Sequence, residues 1–260
     1  MTRVFNPRVS GHHGPVIVVD TSFTCGLKTC VTSLPLLVLI TAGPTYEPLD
    51  PVRFLGNRST GKMGYALAEA FAAAGATVTL VSGPTNLPDP TLAAIATVRV
   101  ETATQMFAVA EAVAETADIW VFAAAVADYR PTAVATEKIK KSSETLTLEL
   151  VKNVDIAATI GRRKRPEQFA VGFALETTNE LAHAQEKLHR KGLDLIVLNS
   201  LRDVGAGFGH DTNQVTVLDR TGPVLNFGLR KKTDLAADLV TLVLARCQPP
   251  SGAGSGGQIH

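Results

Sequence analysis

Residues 40–64 read Ile40-Thr-Ala-Gly-Pro-Thr-Tyr-Glu-Pro-Leu-Asp-Pro-Val-Arg-Phe-Leu-Gly-Asn-Arg-Ser-Thr-Gly-Lys-Met-Gly64 and lead from an apolar strand through a polar, glycine-rich loop into a helix. Such a loop binds anions in many α/β proteins, because its backbone amides and the helix N-terminus present N–H donors without intrahelical partners. Arg53, Asn57 and Lys62 add polar side chains that suit an anion. The stretch therefore predicts an α/β fold with an anion site after its first strand, and a plain strand-to-helix turn is the alternative.

This loop matches neither of two familiar phosphate-binding motifs. Residues 56–62 have Walker A spacing, but Met63 stands where the Ser or Thr that binds Mg²⁺ belongs. Gly56, Gly61 and Gly64 also lack the intervals of the G-x-G-x-x-G dinucleotide fingerprint. The loop is therefore neither a Walker A loop nor a standard dinucleotide-binding turn.

Composition excludes several classes of partner. The 260 residues carry a net charge of +1, with 19% charged and 5% aromatic residues, so the chain lacks the basic surface and stacking platforms that nucleic acid needs. The apolar run Leu34–Ile40 is too short to cross a bilayer, so it predicts the first strand, and we expect no membrane partner. Cys25, Cys30 and Cys247 lack C-x-x-C spacing, which makes a zinc or redox site unexpected and a cytoplasmic location the default.

The alternation of short apolar runs with helical patterns predicts one α/β domain over residues 36–247. Residues 1–35 form an unassigned extension that we expect to be disordered, and residues 248–260 have the composition of a flexible tail. Predicted helices lie at Lys62–Ala74, Met106–Thr116, Val154–Gly161, Asn179–Arg190 and Arg230–Cys247. Further strands are predicted at Thr77–Ser82, Val98–Glu101, Ile119–Ala125, Phe169–Ala174 and Leu193–Leu198. The expected fold is a Rossmann-like, mostly parallel sheet with helices on both faces.

Two regions with a period of two residues interrupt this alternation. Glu144–Val151 alternates apolar and polar residues, and Asn213–Asp219 with Val224–Phe227 predicts a hairpin. Such segments in a parallel fold usually form an added antiparallel flap, whose exposed edges a second subunit can cover. We therefore expect an antiparallel flap that is used for dimerisation.

Suitable binding residues follow several predicted strands, and ligands of open α/β sheets bind beyond the carboxyl ends of the strands. The small residues 123–125 allow a base or sugar to approach the backbone, and Asp128 suits a ribose hydroxyl or Mg²⁺. Lys138, Lys140 and Lys141 can pair with a triphosphate. Close helix packing by the alanines and ordinary solvent exposure of the lysines are the alternatives.

Lys187 and Lys191 lie four residues apart on one helical face, where like charges repel unless an anion lies between them. Exposed lysines that aid solubility are the alternative. The sequence has no G-x-S-x-G or H-E-x-x-H motif, and no tyrosine is followed by lysine four residues later, which disfavours a short-chain oxidoreductase. The predicted site has cations, amide donors and a carboxylate but no nucleophile, so its substrates must supply the nucleophiles.

Five separated motifs resemble those of the phosphopantothenoylcysteine synthetase family over about residues 36–246. They are Ile-Thr-Ala-Gly-Pro-Thr-x-Glu-Pro-Leu-Asp-Pro-Val-Arg, Asn-x-Ser-x-Gly-Lys-Met-Gly, Ala-Ala-Val-Ala-Asp-Tyr-Arg, Glu-Lys-Ile-Lys-Lys and Gly-Phe-Ala-x-Glu-Thr. The resemblance implies a Rossmann-like homodimer that activates 4′-phosphopantothenate with CTP and Mg²⁺ to an acyl-cytidylate. Cysteine then displaces CMP, which is a step of coenzyme A biosynthesis.

The resemblance also implies roles for single residues. Asn57 would hold the acyl-cytidylate through its amide, and Lys138 would serve the nucleotide phosphates and the second half-reaction. The substrate-binding residues would be Arg53, Ser59 and Gly61. The nucleotide-binding residues would be Ala123, Ala124, Asp128, Lys138, Val154, Asp155, Ile156, Ala157, Phe173, Lys187 and Lys191, with Asp128 also the candidate metal ligand.

The sequence departs from the family pattern in two places. Val154 stands where proline is expected, which loosens that turn but leaves its backbone donors available. Residues 1–34 do not resemble the flavin-dependent decarboxylase domain that usually precedes this module, so we expect no flavin in this chain and a separate decarboxylase as a candidate partner. A catalytically inactive nucleotide-binding partner of that decarboxylase is the alternative function, and the choice between CTP and ATP stays open.

Overall fold

An eight-stranded sheet runs through the computed structural model, which describes residues 35–140, 144–176, 178–200 and 210–247. The fold is mixed α/β, with a mostly parallel central sheet. In chain order the elements are β1 (Leu37–Ala42), β2 (Tyr46–Pro48), β3 (Phe54–Gly56), α1 (Lys62–Ala73), β4 (Thr77–Ser82), β5 (Ile95–Arg99), α2 (Ala103–Ala114), β6 (Ile119–Phe122), β7 (Tyr129–Pro131), β8 (Leu150–Lys152), α3 (Ile156–Gly161), β9 (Phe169–Glu176), α4 (Glu180–Arg190), β10 (Leu195–Ser200), β11 (Thr212–Asp219), β12 (Gly222–Lys231) and α5 (Lys232–Cys247).

The strand order of the large sheet is β12-β11-β10-β9-β6-β1-β4-β5. In this sheet, β5, β4, β1, β6, β9 and β10 pair in parallel, and β11 and β12 continue the sheet as an antiparallel hairpin. The chain moves from β1 outward to β4 and β5, and then returns to place β6 on the other side of β1. This reversal is a topological switch point, so the crevice beyond the carboxyl ends of β1 and β6 is the expected ligand site.

Helices cover both faces of the sheet because alternate side chains of each strand point to opposite sides. Val38 and Ile40 of β1 join one buried cluster with Leu67 of α1 and Leu239 of α5. Leu39, between them, joins a second cluster that includes side chains from α2, α3 and α4. The near-continuous apolar sequence of β1 and β6 follows from this burial on both faces.

Two local contacts place α1 and α2 against the strands. Gly64 packs on β1 so closely that a Cβ atom there would lie 2.5 Å from the Cβ of Ala42. Thr102 and Gln105 form a capping box at the start of α2. The buried carboxylate of Glu47 accepts the Ala103 amide at 2.9 Å, which ties the β2 segment to the same helix end.

The predicted fold class is confirmed, and several predicted boundaries are wrong. Strand β6 ends at Phe122 rather than Ala125, and β9 extends beyond Ala174 to Glu176. The final helix begins at Lys232, because the hairpin that precedes it is longer than predicted. That hairpin is not a separate flap: it extends the main sheet, since Val215 and Val217 are buried in the cluster that includes α5.

The other region with a period of two residues, Glu144–Val151, forms little regular structure. Of Glu144–Val151, only the last two residues lie in β8, which pairs with β7 as a short ribbon. The expectations for residues 1–34, Lys141 and residues 248–260 lie outside the described residues. Within the described ranges, every helix is too short or too polar to traverse a bilayer.

Candidate active site

Hydrogen bonds join the loops that follow β1 and β6 and so build the floor of the site. Asn57 donates from Nδ2 to the carbonyl oxygens of Ala125 at 3.0 Å and Val126 at 3.2 Å. Thr45 accepts the Ala127 amide through Oγ1 at 3.0 Å. The residues that the sequence places after two different strands therefore meet at the switch point.

This geometry changes the expected role of Asn57. The resemblance implies that its amide holds the acyl-cytidylate, but both Nδ2 hydrogens are directed at backbone carbonyls of the β6 loop. Oδ1 is the remaining hydrogen-bonding atom of this side chain. Asn57 therefore joins the two loops, and its Oδ1 is the side-chain atom left to contact a ligand.

A first cavity of about 260 Å³ lies between the α1 N-terminus and the end of β9. It is lined by residues 57, 59–64, 123–125, 173–175, 199, 213 and 232, which include the predicted Asn57, Ser59, Gly61 and Ala123. Gly61 is the N-cap of α1 with a φ of 79°, and no side chain caps this helix. The first-turn amides of α1 therefore remain available to an anion in the cavity.

Two lysines supply the charge of the first cavity, and none of its described lining residues is a carboxylate. Lys62 pairs with Asp211 at 2.6 Å, but the Asp211 side chain is 83% exposed. Lys232 is buried, and its Nζ donates to the His210 carbonyl at 2.6 Å. Burial, and next the charge of Lys62, lower the pKa of Lys232, which indicates that a further anion would be stabilised beside it.

Sequence reasoning missed three polar residues of this cavity. Asn213 donates from Nδ2 to Oδ1 of Asn199 at 3.0 Å, and both line the cavity with Lys232. The signal for Lys232 was the pair Lys231-Lys232, which spans the end of β12 and the start of the last helix. No pattern pointed to the asparagines, because their approach depends on the pairing of β10 with β11.

A second cavity of about 490 Å³ lies beside the first, on the side of α3 and α4. It gathers most of the residues predicted to bind nucleotide, namely Ala124, Asp128, Val154, Asp155, Ile156, Ala157, Phe173, Lys187 and Lys191. Its lining has five cationic side chains, Lys152, Arg162, Lys187, Arg190 and Lys191, against the two carboxylates of Asp128 and Asp155. The volume and the excess of positive charge suit a phosphorylated ligand.

The two predicted lysines of α4 each have a carboxylate partner. Lys187 Nζ lies 2.5 Å from Glu176, which the longer β9 brings into reach. Lys191 Nζ lies 3.0 Å from Asp155. Carboxylates of the chain itself therefore supply the anions that the sequence called for beside these lysines, so their pairing does not by itself require a ligand.

Asp155 also organises the turn before α3. Its Oδ1 accepts the Ala158 amide at 3.1 Å as the N-cap of the helix. Burial alone would raise the pKa of Asp155, but Lys191 and the Ala158 hydrogen bond outweigh burial and hold the pKa below its usual range. Asp155 is thus a charged partner of Lys191 rather than a proton donor.

Three predicted site residues stand apart from this picture. Asp128 is exposed at the second cavity, and the described residues contain no group of three or more His, Cys, Asp or Glu suited to a metal. Lys138 is exposed and lines neither cavity. Arg53 lines neither cavity as well, because its guanidinium is bound to Asp50 and to the Ile139 carbonyl.

The chain is similar in sequence to several known proteins. The chain is 46% identical over 220 residues to a "Cysteine/Cysteine sulfinic acid decarboxylase" of an unknown prokaryotic organism, which covers 84% of this chain and 61% of that protein. It is 45% identical over 215 residues to the "Coenzyme A biosynthesis bifunctional protein CoaBC" of Haemophilus influenzae, which covers 82% of this chain and 52% of that protein. The chain thus spans about half to three-fifths of the length of these relatives.

Solved structures give the same fold over nearly their whole length. The C-terminal domain of a coenzyme A biosynthesis bifunctional protein CoaBC matches with a TM-score of 0.68 and 40% identity, which covers 82% of this chain and 97% of that domain. A DNA/pantothenate metabolism flavoprotein from Streptococcus pneumoniae matches with a TM-score of 0.70 at 20% identity, covering 82% of this chain and 100% of that one, and shows the fold alone. The family model for the DNA/pantothenate metabolism flavoprotein C-terminal domain matches residues 36–246. The chain therefore belongs to the family of DNA/pantothenate metabolism flavoprotein C-terminal domains.

Proposed function

We propose that this chain is a phosphopantothenate–cysteine ligase, which joins 4′-phosphopantothenate to L-cysteine through an acyl-cytidylate in coenzyme A biosynthesis. The observation that carries the proposal is the pair of positively charged cavities that share a wall. Ala124, Ala125 and residues 173–175 line both cavities at the switch point. Two anionic substrates bound in them would meet at this shared wall, as an activating reaction requires.

The second cavity is the proposed nucleotide site. CTP would place its phosphates among Lys187, Lys191 and Arg190, and the small Ala124 would leave room for the sugar or base. Mg²⁺ commonly binds through one or two carboxylates together with substrate phosphates, so Asp128 with the triphosphate forms a suitable ligand set and the ion would neutralise charge on the phosphates. The residues present fit such an ion without a preformed cluster of ligands.

The first cavity is the proposed site for 4′-phosphopantothenate. Its phosphate would lie beside Lys62, Lys232 and the uncapped N-terminus of α1, where the described lining offers cations and amides without a competing carboxylate. The pantothenate carboxylate would then extend toward Ala124 and the nucleotide. This orientation gives a role to Lys232, which sequence reasoning missed.

The chemistry needs no nucleophile from the protein. The pantothenate carboxylate attacks the α-phosphorus of CTP and pyrophosphate leaves, which forms the acyl-cytidylate. The amine of cysteine then attacks the acyl carbon, CMP leaves, and the amine proton is released to solvent. The protein contributes orientation and charge stabilisation, which are sufficient where binding positions both reactants, and Lys138 is the cation proposed to assist the second step.

A homodimer is the proposed assembly. Exposed apolar side chains occur on the two short ribbons and their loops, and Leu225 and Leu229 add two on the edge strand β12. They include Val52, Phe54, Tyr129, Val134, Leu146 and Leu150. A surface of this kind favours burial against a second copy. We also propose a separate decarboxylase as a partner and a cytoplasmic location, because both follow from a role in coenzyme A biosynthesis.

The test is pyrophosphate release from CTP and Mg²⁺ with 4′-phosphopantothenate, in the presence and absence of cysteine and again with ATP. We expect release that depends on phosphopantothenate, formation of the amide only with cysteine, and a preference for CTP. Nucleotide binding without release by either nucleotide would overturn the ligase and favour the inactive binding partner. Loss of CO₂ from a cysteine-containing substrate by this chain alone would favour a decarboxylase instead.

A further inference from the structure

A buried aspartate outside both cavities forms a compact unit with Arg53. Asp50 is 2% exposed, and its Oδ1 accepts the amides of Val52 at 2.8 Å and Arg53 at 2.9 Å. Its Oδ2 accepts Nε and Nη2 of the Arg53 guanidinium at 2.9 Å and 2.5 Å. We call this pair the Asp50–Arg53 clamp.

The Asp50–Arg53 clamp binds both the amide and the carbonyl of Ile139, which is distant in sequence. The Ile139 amide donates to Asp50 Oδ2 at 3.1 Å, and Arg53 Nη2 donates to the Ile139 carbonyl at 2.8 Å. A further backbone bond joins the Ala135 amide to the Leu49 carbonyl at 3.0 Å. The segment from Ala135 to Ile139 is therefore attached at two points to the loop between β2 and β3, and Lys138 is the residue next to the second point.

The attachment matters because the segment has no regular structure of its own. Residues 132–140 contain no helix or strand, so tertiary contacts must fix their backbone. A buried carboxylate is costly unless hydrogen bonds and a countercharge satisfy it, and Asp50 has both. The Arg53 hydrogen bond holds the pKa of Asp50 well below its usual range, so the clamp stays charged at neutral pH.

We propose that Asp50 is a positioning residue of the ligase, which acts through Arg53 and Ile139 to fix the backbone beside Lys138. The inference rests on the proposed function, in which Lys138 assists the second half-reaction. It gives Arg53 a different task from the phosphopantothenate contact that the family resemblance implies. Two of the three guanidinium nitrogens of Arg53 are already bound to Asp50 or Ile139.

The experiment compares Asp50→Asn, Lys138→Gln and the double variant, with Glu111→Gln as the control. Asn keeps the size of Asp50 but replaces a charged acceptor with a neutral group, whereas Glu111 of α2 forms an ion pair with Arg163 in the turn after α3 and lines neither cavity. A misplacement of about 1 Å can cost on the order of 100-fold in rate, so we expect kcat for amide formation to fall about 10- to 100-fold in Asp50→Asn. The KM for 4′-phosphopantothenate should change less than about threefold, and Glu111→Gln should match the parent protein.

The double variant separates positioning from a general structural role. If Asp50 acts through Lys138, then Asp50→Asn should lower kcat little further in the Lys138→Gln background, because the two effects share one interaction. Independent, multiplicative losses in the double variant would overturn the proposal. A loss confined to the KM for 4′-phosphopantothenate would overturn it as well, and would return Arg53 to direct substrate contact.

Hydrogen exchange gives a readout that does not depend on activity. The Ile139 amide should lose protection in Asp50→Asn while amides of the central strand β1 keep theirs, and Glu111→Gln should leave both unchanged. Unchanged Ile139 protection in a folded Asp50→Asn variant would refute the clamp itself. If the parent protein lacks ligase activity, the proposed function fails, whereas the exchange experiment still decides whether the clamp holds this segment.

Discussion

Replacing Lys232 by Met should weaken binding of 4′-phosphopantothenate through its phosphate alone. Lys232 is 7% exposed and lines the first cavity, whereas the preceding Lys231 is exposed in β12. Lys231→Met is therefore a matched control that removes the same charge from the adjacent position. Met keeps the length of the buried aliphatic stem, so the loss reports on the ammonium group.

The size of the effect follows from the interaction removed. A hydrogen bond to a charged group contributes about 1.5 to 3 kcal/mol, which corresponds to an increase of about 10- to 150-fold in the KM for 4′-phosphopantothenate. The same substitution should change the KM for pantothenate, which lacks the phosphate, less than about threefold. The difference between the two substrates therefore isolates the phosphate contact.

The assay is steady-state pyrophosphate release at saturating CTP, together with thermal unfolding of each variant. Lys232 also donates to the His210 carbonyl, so a modest fall in melting temperature is expected and does not bear on the prediction. Equal losses with phosphopantothenate and pantothenate would contradict a phosphate subsite. An equally large effect of Lys231→Met would show that long-range charge, rather than the cavity, is responsible.

Three further outcomes are expected. Lys191→Met should raise the KM for CTP about tenfold or more and leave the KM for 4′-phosphopantothenate nearly unchanged, because it removes a cation of the second cavity only. Equal effects on both KM values in steady-state kinetics would contradict the proposal that the two substrates bind in separate cavities. Leu39→Ala should lower the free energy of unfolding by about 2 to 5 kcal/mol in urea titrations, because Leu39 is fully buried, and a loss under about 1 kcal/mol would refute this packing. The folded pKa of Asp50 lies below its unfolded value of 3.8, so the stability that its charge contributes is present above about pH 4 and is lost at lower pH. The difference in unfolding free energy between the parent and Asp50→Asn should therefore be constant from pH 5 to 8 and shrink below pH 4. A difference that grows on acidification would contradict a lowered pKa of Asp50.

Patterns within short stretches of sequence predicted the fold well. The continuous apolar runs of β1 and β6 indicated central parallel strands, and the sheet places them side by side at the switch point. The predicted ends of strands were wrong where pairing with a neighbouring strand determines the end. Strand β9 reaches Glu176 because β10 pairs with it through Ser200, and this partner cannot be read from the sequence of β9.

The sequence indicated which residues would gather around the second cavity, but not how their side chains would pair. Nine predicted residues line the second cavity, since motifs after parallel strands converge on one edge of the sheet. The sequence did not indicate that Glu176 and Asp155 would neutralise Lys187 and Lys191, because those contacts cross from strand or loop to helix. Nor did it indicate that Arg53 would line neither cavity, since its contact with Ile139 spans 86 residues.

In the second cavity, Lys187 and Lys191 already have carboxylate counterions from the chain itself, so an anionic ligand would have to exchange with those carboxylates. In the proposed function, the phosphates of an entering nucleotide would compete with Glu176 for Lys187 and with Asp155 for Lys191, so part of their attraction would be spent on that exchange. The carboxylates would pair with the lysines again when the mononucleotide leaves. Paired lysines would therefore hold a nucleotide more weakly than unpaired lysines and would favour its release.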